Sequence, residues 1–276
     1  MFSVLIPVFN HSKFLHQAVE SAVRDPLVGE VLLVDDGSRD GSQRVIQALC
    51  RAYSGRVRDI GDTQRDNRGA HVRLNELVAA ARHEWVAVLN SDDAFVPLRF
   101  VAAAQVIRRR AVEFVSGLLL VMDHNGTVFG RKRGWLDPEY QFPEALNPAA
   151  ELPECHETAG RQVFLARLLN QNFIATTSNM IFTRTLFDRV GGFRPYRYCH
   201  DWDFAIRATL AAEIAWCPQY LTIYRLHGTN TIAESKEKVR AEVRRMFEQF
   251  RTEGLPLEAS SLACAGLNAN QYLQAG

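Results

Sequence analysis

Short apolar runs alternate with amphipathic stretches over the first 110 residues of the chain. Each apolar run is brief and ends in polar residues, which predicts buried strands at 3–8, 30–34, 57–60 and 85–89. The stretches between them place apolar residues on one helical face, which predicts helices at 13–23, 43–53, 70–81 and 98–110. This alternation with short links predicts an α/β fold with a mostly parallel sheet flanked by helices.

The pattern changes after residue 110. Asn125-Gly126 between two apolar runs predicts a hairpin, and residues 131–160 have the composition of a loop-rich segment. Further on, a charged amphipathic helix is predicted to precede a C-terminal tail. The other predicted elements are helices at 161–169, 184–190, 201–212 and 233–250, and strands at 114–122, 127–130, 176–182, 215–217 and 220–224.

Composition narrows the class of protein. A chain of 276 residues with 47% apolar residues can form one large domain or two small ones. A net charge of +1 argues against a nucleic-acid-binding protein driven by electrostatics. The five cysteines are scattered without metal-binding spacing, which predicts a reduced, cytoplasmic protein. The first residues lack the pattern of a signal peptide, and no uncharged run approaches about 20 residues, so no membrane-spanning helix is expected.

Polar clusters follow three of the predicted strands, at 7–10, 35–38 and 90–93. Because parallel strands end at the same edge of a sheet, these clusters are predicted to form one pocket. Asp92 and Asp93 repel each other and attract a divalent cation, which favours a metal site that holds a phosphate-bearing ligand. The alternative is a polar turn that caps the following helix.

Each residue in this pocket has a chemical interpretation and a structural one. Phe9 can stack on a nucleobase or belong to the core, and Asp36 can accept a hydrogen bond from a pyrimidine imide or serve only in a turn. Asp93 can hold Mg²⁺ or Mn²⁺, and Asp92 can bind the metal or a ribose hydroxyl. Pro7 lies in the same segment as Phe9.

The second half of the chain adds an acid and a histidine. Asp201 lies at the start of a predicted helix, where it can act as a general base or as an N-cap. His227 follows the last predicted strand, where it can be structural, ligate a metal or contact a phosphate. Ser178 can face a bound sugar or lie at a buried strand end.

Taken in order, these segments resemble the inverting glycosyltransferases of family 2, which have the GT-A fold. The resemblance covers roughly residues 2–230. It rests on the order and spacing of residues 4–10, 34–42, Asn67-Arg68-Gly69 with Arg73 and Asn75, 90–93, 177–180, 191–193, 200–203 and 224–227.

The resemblance implies metal-dependent sugar transfer from a nucleotide diphosphate sugar to an acceptor hydroxyl, with inversion. Uridine diphosphate is the favoured nucleotide, Mg²⁺ or Mn²⁺ the cofactor, and a saccharide or lipid-linked saccharide the acceptor, in cell-surface or other glycan synthesis. It also implies one domain over residues 1–232, with a nucleotide-binding half at 1–112 and a smaller mixed half at 113–232 that carries the base. Residues 233–276 are then a C-terminal helix and tail.

The implied roles can be assigned residue by residue. Asp201 is the catalytic base, and Asp93 and His227 are metal ligands. The residues implied to bind the donor are Pro7 and Phe9 at the nucleobase, Asp36 reading it, Asp92 at the ribose, and Asn10, Asn67, Arg73 and Ser178 around them. Two positions depart from the family pattern, because Asn90 and His200 stand where an acidic residue is frequent.

The sequence is also compatible with two other functions. A sugar nucleotidyltransferase would use a similar sheet, but usually needs a glycine-rich loop after its first strand, which is absent here. A non-catalytic module that binds a nucleotide sugar or carbohydrate is the second alternative. The basic run Arg131-Lys132-Arg133 and the helix near the C-terminus can contact an anionic inner membrane surface or form a solvated face.

Overall fold

The computed structural model describes residues 1–61, 66–132, 161–228, 230 and 235–255. Most of the predicted loop-rich segment at 131–160, and the tail from residue 256, lie outside these ranges. Strands and helices alternate through the described part as β1 (Phe2–Val8), α1 (Leu15–Val23), β2 (Val28–Asp35), α2 (Ser42–Ala52), β3 (Val57–Asp59), α3 (Ala70–Ala80), β4 (Trp85–Val88), β5 (Ala94–Phe95), α4 (Arg99–Arg109), β6 (Phe114–Met122), β7 (Val128–Lys132), α5 (Arg161–Asn170), β8 (Ile181–Thr183), α6 (Arg184–Val190), α7 (His200–Ala211), β9 (Ile214–Arg225) and α8 (Lys236–Thr252).

One sheet joins the strands in the order β3-β2-β1-β4-β8-β6-β9-β5, with β7 added on β6. The first four strands in this order are mutually parallel. Beyond them β8 runs antiparallel to both β4 and β6, whereas β9 is parallel to β6. The α/β class, with a parallel first part and a mixed second part, is therefore confirmed.

The sheet is buried on both faces in its first half. Alternate residues of β1 enter two different apolar clusters, with Leu5 in one and Val4 and Ile6 in the other. Side chains of a strand point alternately to opposite faces, so a run that is apolar at every position needs cover on both sides. Helices supply that cover, which explains why the first predicted strands read as continuous apolar runs.

The C-terminal helix α8 packs into the same core as the second half of the sheet. Val239, Val243, Met246 and Phe250 recur at helical spacing, and all four join the cluster that contains Trp202. The division at residue 232 stays a prediction about domain organisation, but α8 shares one apolar cluster with α3, α5, α6 and α7.

Three local features differ from the predicted elements. The strand predicted at 176–182 is instead a short 3-10 turn at Thr177–Asn179 followed by β8, because the Thr176 hydroxyl accepts a hydrogen bond from the Ser178 N–H and starts the turn. The two strands predicted at 215–217 and 220–224 form the single strand β9, whose pairing with β6 shifts register near Gly117 and Leu118. Strand β5 was not predicted, because two residues are too few to show an alternating pattern. In the described residues, no helix has both the length and the apolar character needed to cross a bilayer.

Candidate active site

Strand ends in the parallel part of the sheet create one polar edge. Val8 at the end of β1 pairs with Asp35 at the end of β2, and Leu5 pairs with Val88 at the end of β4. Phe9 follows β1 directly and has 44% of its surface exposed, a high value for a large apolar side chain. The predicted clustering of strand-end residues is thus present, and Phe9 is not a core residue.

Pro7 and Asn10 lie on either side of Phe9. Pro7 is half-buried in β1 beside Val34. Asn10 is exposed and has a left-handed backbone, with φ of 54°. Its N–H donates to the Ser38 hydroxyl at 2.9 Å, and its side-chain oxygen accepts from the Arg39 N–H at 2.8 Å. Asn10 therefore joins the loops that follow β1 and β2.

Asp36 holds the loop that leads into α3. Its carboxylate accepts from the backbone N–H groups of Arg68 at 2.8 Å and Gly69 at 3.0 Å, and from Arg73 Nε at 2.9 Å. Arg73 is itself buried, and it also donates to Glu76 and to the Asp66 carbonyl. Both residues thus position this loop, and their direct contact with a nucleotide stays a prediction.

Asn67 lies on the outer surface of that same loop, where it is exposed. The loop is also close to the second half of the molecule, because His71 at the start of α3 is electrostatically coupled to His200 and to Asp36. Burial and the charge of His200 lower the pKa of His71, while the charge of Asp36 opposes that change. α3, which follows this loop, is joined to the segment before α7 by Asn75, whose side chain donates to the Phe193 carbonyl at 3.0 Å and accepts from the Phe193 N–H at 2.9 Å.

Asp93 is buried against the 3-10 turn. Its carboxylate accepts from the Ser178 hydroxyl at 2.6 Å and from the Arg225 N–H at 2.9 Å. Burial and the adjacent charge of Asp92 raise the pKa of Asp93 to about 8, against the opposing effects of Ser178, Arg225 and Lys132. Ser178 is fully buried, and its hydroxyl also accepts from the Asn90 N–H at 2.9 Å. In this structure Ser178 supports Asp93, and its contact with a donor stays a prediction.

Asn90 has a defined role at the position where the family often has an acid. Its amide donates to the Thr176 hydroxyl at 2.9 Å and accepts from the Thr177 hydroxyl at 2.8 Å. A carboxylate could make only the second kind of bond, because it has no N–H. The substitution therefore fastens the end of β4 to the turn that carries Ser178.

Asp92, His227 and His11 form a group that can hold a metal ion. One ligand atom from each lies within 4.8 Å of the others, and among the described residues this is the cluster of acidic, histidine or cysteine side chains with metal-binding geometry. His227 Nε2 lies 2.9 Å from an Asp92 oxygen, and His11 Nδ1 lies 3.9 Å from the other. Sequence reasoning did not select His11, although it directly follows the polar cluster after β1.

The charges in this cluster influence one another. Burial favours the protonated form of Asp92, but the hydrogen bond from His227 and the charge of His11 hold its pKa below the ordinary value. Burial also lowers the pKa of His11, against the effect of Asp92. An ionised carboxylate beside neutral imidazoles is the state in which all three side chains can ligate a metal. Of the two adjacent acids, Asp92 rather than Asp93 has this geometry, and Asp93 as a ligand stays a prediction.

Asp201 lies in the first turn of α7 and is 5% exposed. One carboxylate oxygen accepts from the Asn172 side-chain amide at 3.1 Å, and the other accepts from the Trp202 N–H at 2.7 Å. Asp201 is therefore not the N-cap, a position that Cys199 occupies. Burial raises the pKa of Asp201, while His200, Trp202, Asn172 and Lys132 oppose the rise. A raised pKa suits a carboxylate that must accept a proton.

The segment before α7 is fixed by the C-terminal helix. The Glu242 carboxylate accepts from the backbone N–H groups of Arg197 at 2.8 Å and Cys199 at 3.0 Å, and from the Tyr198 N–H. These N–H groups precede the helix that carries Asp201, and the side chain of its N-cap residue Cys199 makes no capping hydrogen bond. Sequence reasoning did not identify Glu242, Asn172 or His71, because nothing local distinguishes them from ordinary polar residues.

Lys132 connects the two sides of the site. It is buried at the end of β7, and its charge acts on both Asp93 and Asp201. Asp93 and Asp201, which lie more than 100 residues apart in the chain, are therefore both near enough to Lys132 for its charge to influence them.

Comparison with known proteins identifies the family to which the chain is similar. Residues 3–197 match the family model described as glycosyl transferase family 2. An uncharacterised glycosyltransferase from a Nostoc species is 24% identical over 231 residues, which cover 83% of this chain and 65% of that protein. The chain thus spans slightly less than two thirds of the length of this relative.

Two solved structures show the fold. Staphylococcus aureus TarS in complex with UDP-GlcNAc superimposes with a TM-score of 0.66 at 17% identity, covering 98% of this chain and 72% of that one. The mannosyltransferase PcManGT from Pyrobaculum calidifontis, in complex with GDP-Man and Mn²⁺, gives 0.66 at 14% identity, covering 98% and 70%. At such low identity these similarities establish the GT-A fold alone. The match of the family model to more than half of the sequence establishes that the chain belongs to glycosyl transferase family 2.

Proposed function

We propose that this protein transfers a sugar from a nucleotide diphosphate sugar to an acceptor hydroxyl, with inversion at the anomeric carbon. The observation that carries the proposal is that Asp201, a buried acid with a raised pKa, lies near Lys132, whose charge also acts on the strand-end acid Asp93. An inverting transfer needs such an acid on the side of the sugar opposite the leaving diphosphate.

The proposed step is a single displacement. The acceptor oxygen forms a bond to the anomeric carbon while the bond from that carbon to the phosphate oxygen breaks. Asp201 takes the proton of the acceptor hydroxyl, and the electron pair of the broken bond stays on the nucleoside diphosphate. A positioned base contributes roughly 10²–10⁴ in rate. Asn172 orients the base by donating to its carboxylate.

A divalent metal fits the residues on the donor side. Asp92, His227 and His11 would hold it, since one carboxylate oxygen and two imidazole nitrogens are close enough to share one ion. Two imidazoles suit Mn²⁺ better than Mg²⁺, which prefers oxygen ligands and water. The ion would offset the negative charge of the diphosphate as the glycosidic bond breaks.

The nucleobase would stack on the exposed ring of Phe9, next to Pro7 and the loop that Asp36 holds. We propose uridine diphosphate as the first nucleotide to test, because TarS was solved with UDP-GlcNAc. Guanosine diphosphate is the second, because PcManGT was solved with GDP-Man. A cytoplasmic enzyme that extends a saccharide or lipid-linked saccharide of the cell surface is the proposed setting.

A donor screen tests this function. The purified protein is incubated with UDP-GlcNAc, UDP-glucose or GDP-mannose, with and without Mn²⁺, in the presence of a panel of saccharide acceptors. We expect release of a nucleoside diphosphate and a glycosylated product, both dependent on Mn²⁺ and both lost in Asp201→Asn. Binding of a nucleotide sugar without release or transfer would favour the non-catalytic module, and formation of a nucleotide sugar from a sugar phosphate would favour the nucleotidyltransferase.

Titration of Mn²⁺ separates the two adjacent acids. In the presence of the nucleotide, Asp92→Asn should weaken Mn²⁺ binding by at least about 10-fold, the scale of effects seen around metal sites. Asp93→Asn should weaken Mn²⁺ binding less than Asp92→Asn does if Asp93 only supports the segment after β4. The two variants should weaken Mn²⁺ binding equally if Asp93 is also a ligand. Unchanged Mn²⁺ affinity in Asp92→Asn would remove this cluster as the metal site.

A further inference from the structure

Lys132 is a buried ammonium that no step of the proposed reaction has yet used. It ends β7, opposite Leu119 of β6, which in turn pairs with Thr222 of β9. Its Nζ lies 4.2 Å from the centre of the Tyr224 ring, two residues along β9. Only 8% of the residue is exposed. The stem is thus placed beside the small apolar cluster that contains Leu119 and Tyr224.

The ammonium lies beside the acids of the site. Tyr224 directly precedes Arg225, whose N–H donates to Asp93 at 2.9 Å. Asp93 and Asp201 both act on the charge of Lys132, yet within the described parts of the chain neither forms an ion pair with it. The N–H donors of Lys132 can therefore be offered to an anion that enters between these acids.

We propose that Lys132 binds the diphosphate oxygen that leaves the sugar, which makes it a further catalytic residue of the transfer proposed above. The diphosphate would have the cluster of Asp92, His227 and His11 on one side and Lys132 on the other, with Asp201 facing the sugar. When the bond between the anomeric carbon and the phosphate oxygen breaks, its electron pair moves to that oxygen. The ammonium of Lys132 stabilises the resulting charge.

The charge of Lys132 is available for this role at neutral pH. Burial lowers the pKa of Lys132 to about 8, although Asp93 and Asp201 oppose the change. The residue thus remains mostly protonated at pH 7, and an approaching diphosphate would stabilise the protonated form further. A preorganised cation in a site from which water is excluded contributes more than the same cation in water.

The test compares Lys132→Met with wild type. Methionine keeps the length and the packing against Tyr224 but removes the charge. We expect the kcat for transfer to fall roughly 10²–10³-fold, the effect of losing one preorganised group at a developing charge. UDP and GDP carry a charged terminal oxygen where the nucleotide sugar has an ester. Calorimetry should therefore show that Lys132→Met loses more affinity for the nucleoside diphosphate than for UDP-GlcNAc or GDP-mannose.

Two further variants serve as controls. Lys132→Arg keeps a cation at the same position and should restore most of kcat and of the affinity for the nucleoside diphosphate. Lys236→Met makes the same chemical change at an exposed position on α8 and should match wild type in both measurements. Lys132→Gln provides the same test if the methionine variant does not fold.

The proposal is overturned if folded Lys132→Met binds UDP and GDP as wild type does, or if it loses equal affinity for the diphosphate and for the nucleotide sugar. A shift in the pH profile of kcat in Lys132→Met, with an unchanged affinity for the nucleoside diphosphate, would also contradict the proposal. It would mean that Lys132 acts only on the pKa of Asp201. Wild-type protein that neither binds these nucleotides nor transfers a sugar would instead refute the proposed function itself, whatever the variants do.

Discussion

The proposed donor side and the proposed base side of the site are built in different ways. Phe9 and Asn10 on the donor side are exposed, and they sit at strand ends whose positions follow from parallel register. Asp201 and Asn172 on the base side are almost fully buried, and hydrogen bonds between side chains hold them in place. An open side can admit a large nucleotide, whereas a buried side can tune the proton affinity of an acid.

This contrast predicts different consequences for substitutions on the two sides. Changes at the exposed donor side should alter binding and leave folding intact. Changes at the base side should alter the chemical step, or the stability of the elements that carry the base. The following predictions are ordered from the largest expected effect to the smallest.

The substitution Asp201→Asn should have the largest effect. Asparagine keeps the shape of the side chain but cannot take the proton of the acceptor. We expect kcat to fall by roughly 10²–10⁴, with nucleotide affinity unchanged, measured by product formation and by calorimetry. An equal loss of nucleotide affinity would place Asp201 on the donor side and break the contrast.

A buried ion pair between Asp203, in the first turn of α7, and Arg207 tests the stability of the base side. Asp203 is fully buried and accepts from Arg207 Nε at 3.0 Å, while Arg207 also donates to the carbonyls of Val190 and Gly192. Asp203→Ala leaves a buried guanidinium unpaired, and we expect a loss of about 3–5 kcal/mol in the free energy of unfolding.

Denaturant unfolding measures this loss, with Asp188→Ala as the control. Asp188 is exposed on α6, so its removal should change the free energy of unfolding by no more than about 0.5 kcal/mol. If Asp203→Ala were as mild as this control, the buried ion pair would not be what holds the start of α7.

The contact between Glu242 and the segment before α7 should matter for catalysis rather than for binding. Glu242→Gln removes the charge that three backbone N–H groups share, so the segment that positions Asp201 becomes less constrained. Because small displacements of a catalytic group cost up to about 10²-fold, we expect kcat to fall by roughly 10–10²-fold with nucleotide affinity unchanged.

The matched control is Glu237→Gln, which makes the same change on the exposed side of α8 and should leave kcat as in wild type. Equal kcat values for the two variants would show that α8 only covers the core. A loss of nucleotide affinity in Glu242→Gln alone would show that the helix acts on the donor side instead.

On the donor side, Phe9→Ala should weaken nucleotide binding. Stacking of a base on an aromatic ring is worth about 1–3 kcal/mol, so the dissociation constant should rise by roughly 5–150-fold while kcat and stability change little. Val128→Ala, at another exposed apolar position, is the control. A loss of kcat at saturating nucleotide would contradict the assignment of Phe9 to binding alone.

The pH dependence should show the smallest effect. Because burial raises the pKa of Asp201, the acid loses its ability to accept a proton at a higher pH than an exposed aspartate, whose pKa is about 3.9. The acid limb of kcat/KM should therefore lie above that value, and activity should decline as the pH falls through it. An acid limb at or below about 3.9 would show that the carboxylate is not buried in the free enzyme.

The two sides also differ in how many of their residues could be identified from the sequence. Phe9, Asp36 and Asp92 could be placed together because strand ends of a parallel sheet share an edge, and Asp201 and His227 could be selected through the family pattern. The structure adds His11 to the donor side, where its position after β1 was a usable signal. The cluster with metal-binding geometry contains Asp92 and His227, and Asp93 as a metal ligand stays a prediction.

The base side contains residues whose roles depend on contacts far along the chain. Asn172 reaches Asp201 across 29 residues, and Glu242 reaches Cys199 across 43. Ala175 adopts a left-handed backbone, with φ of 68°. An alanine in the sequence does not predict this conformation, because residues other than glycine rarely have a positive φ. Local patterns predict strands, helices and turns, but they carry no information about which distant side chains meet in a buried cleft.

The central claim is that Asp201 and the strand-end acids face one bound donor from opposite sides. A crystal structure with Mn²⁺ and a non-hydrolysable nucleotide sugar tests it most directly. We predict the metal at Asp92 and His227, the diphosphate between that metal and Lys132, and the Asp201 carboxylate facing the anomeric carbon from the side away from the phosphate. A donor bound elsewhere, or one whose sugar points away from Asp201, would contradict the account.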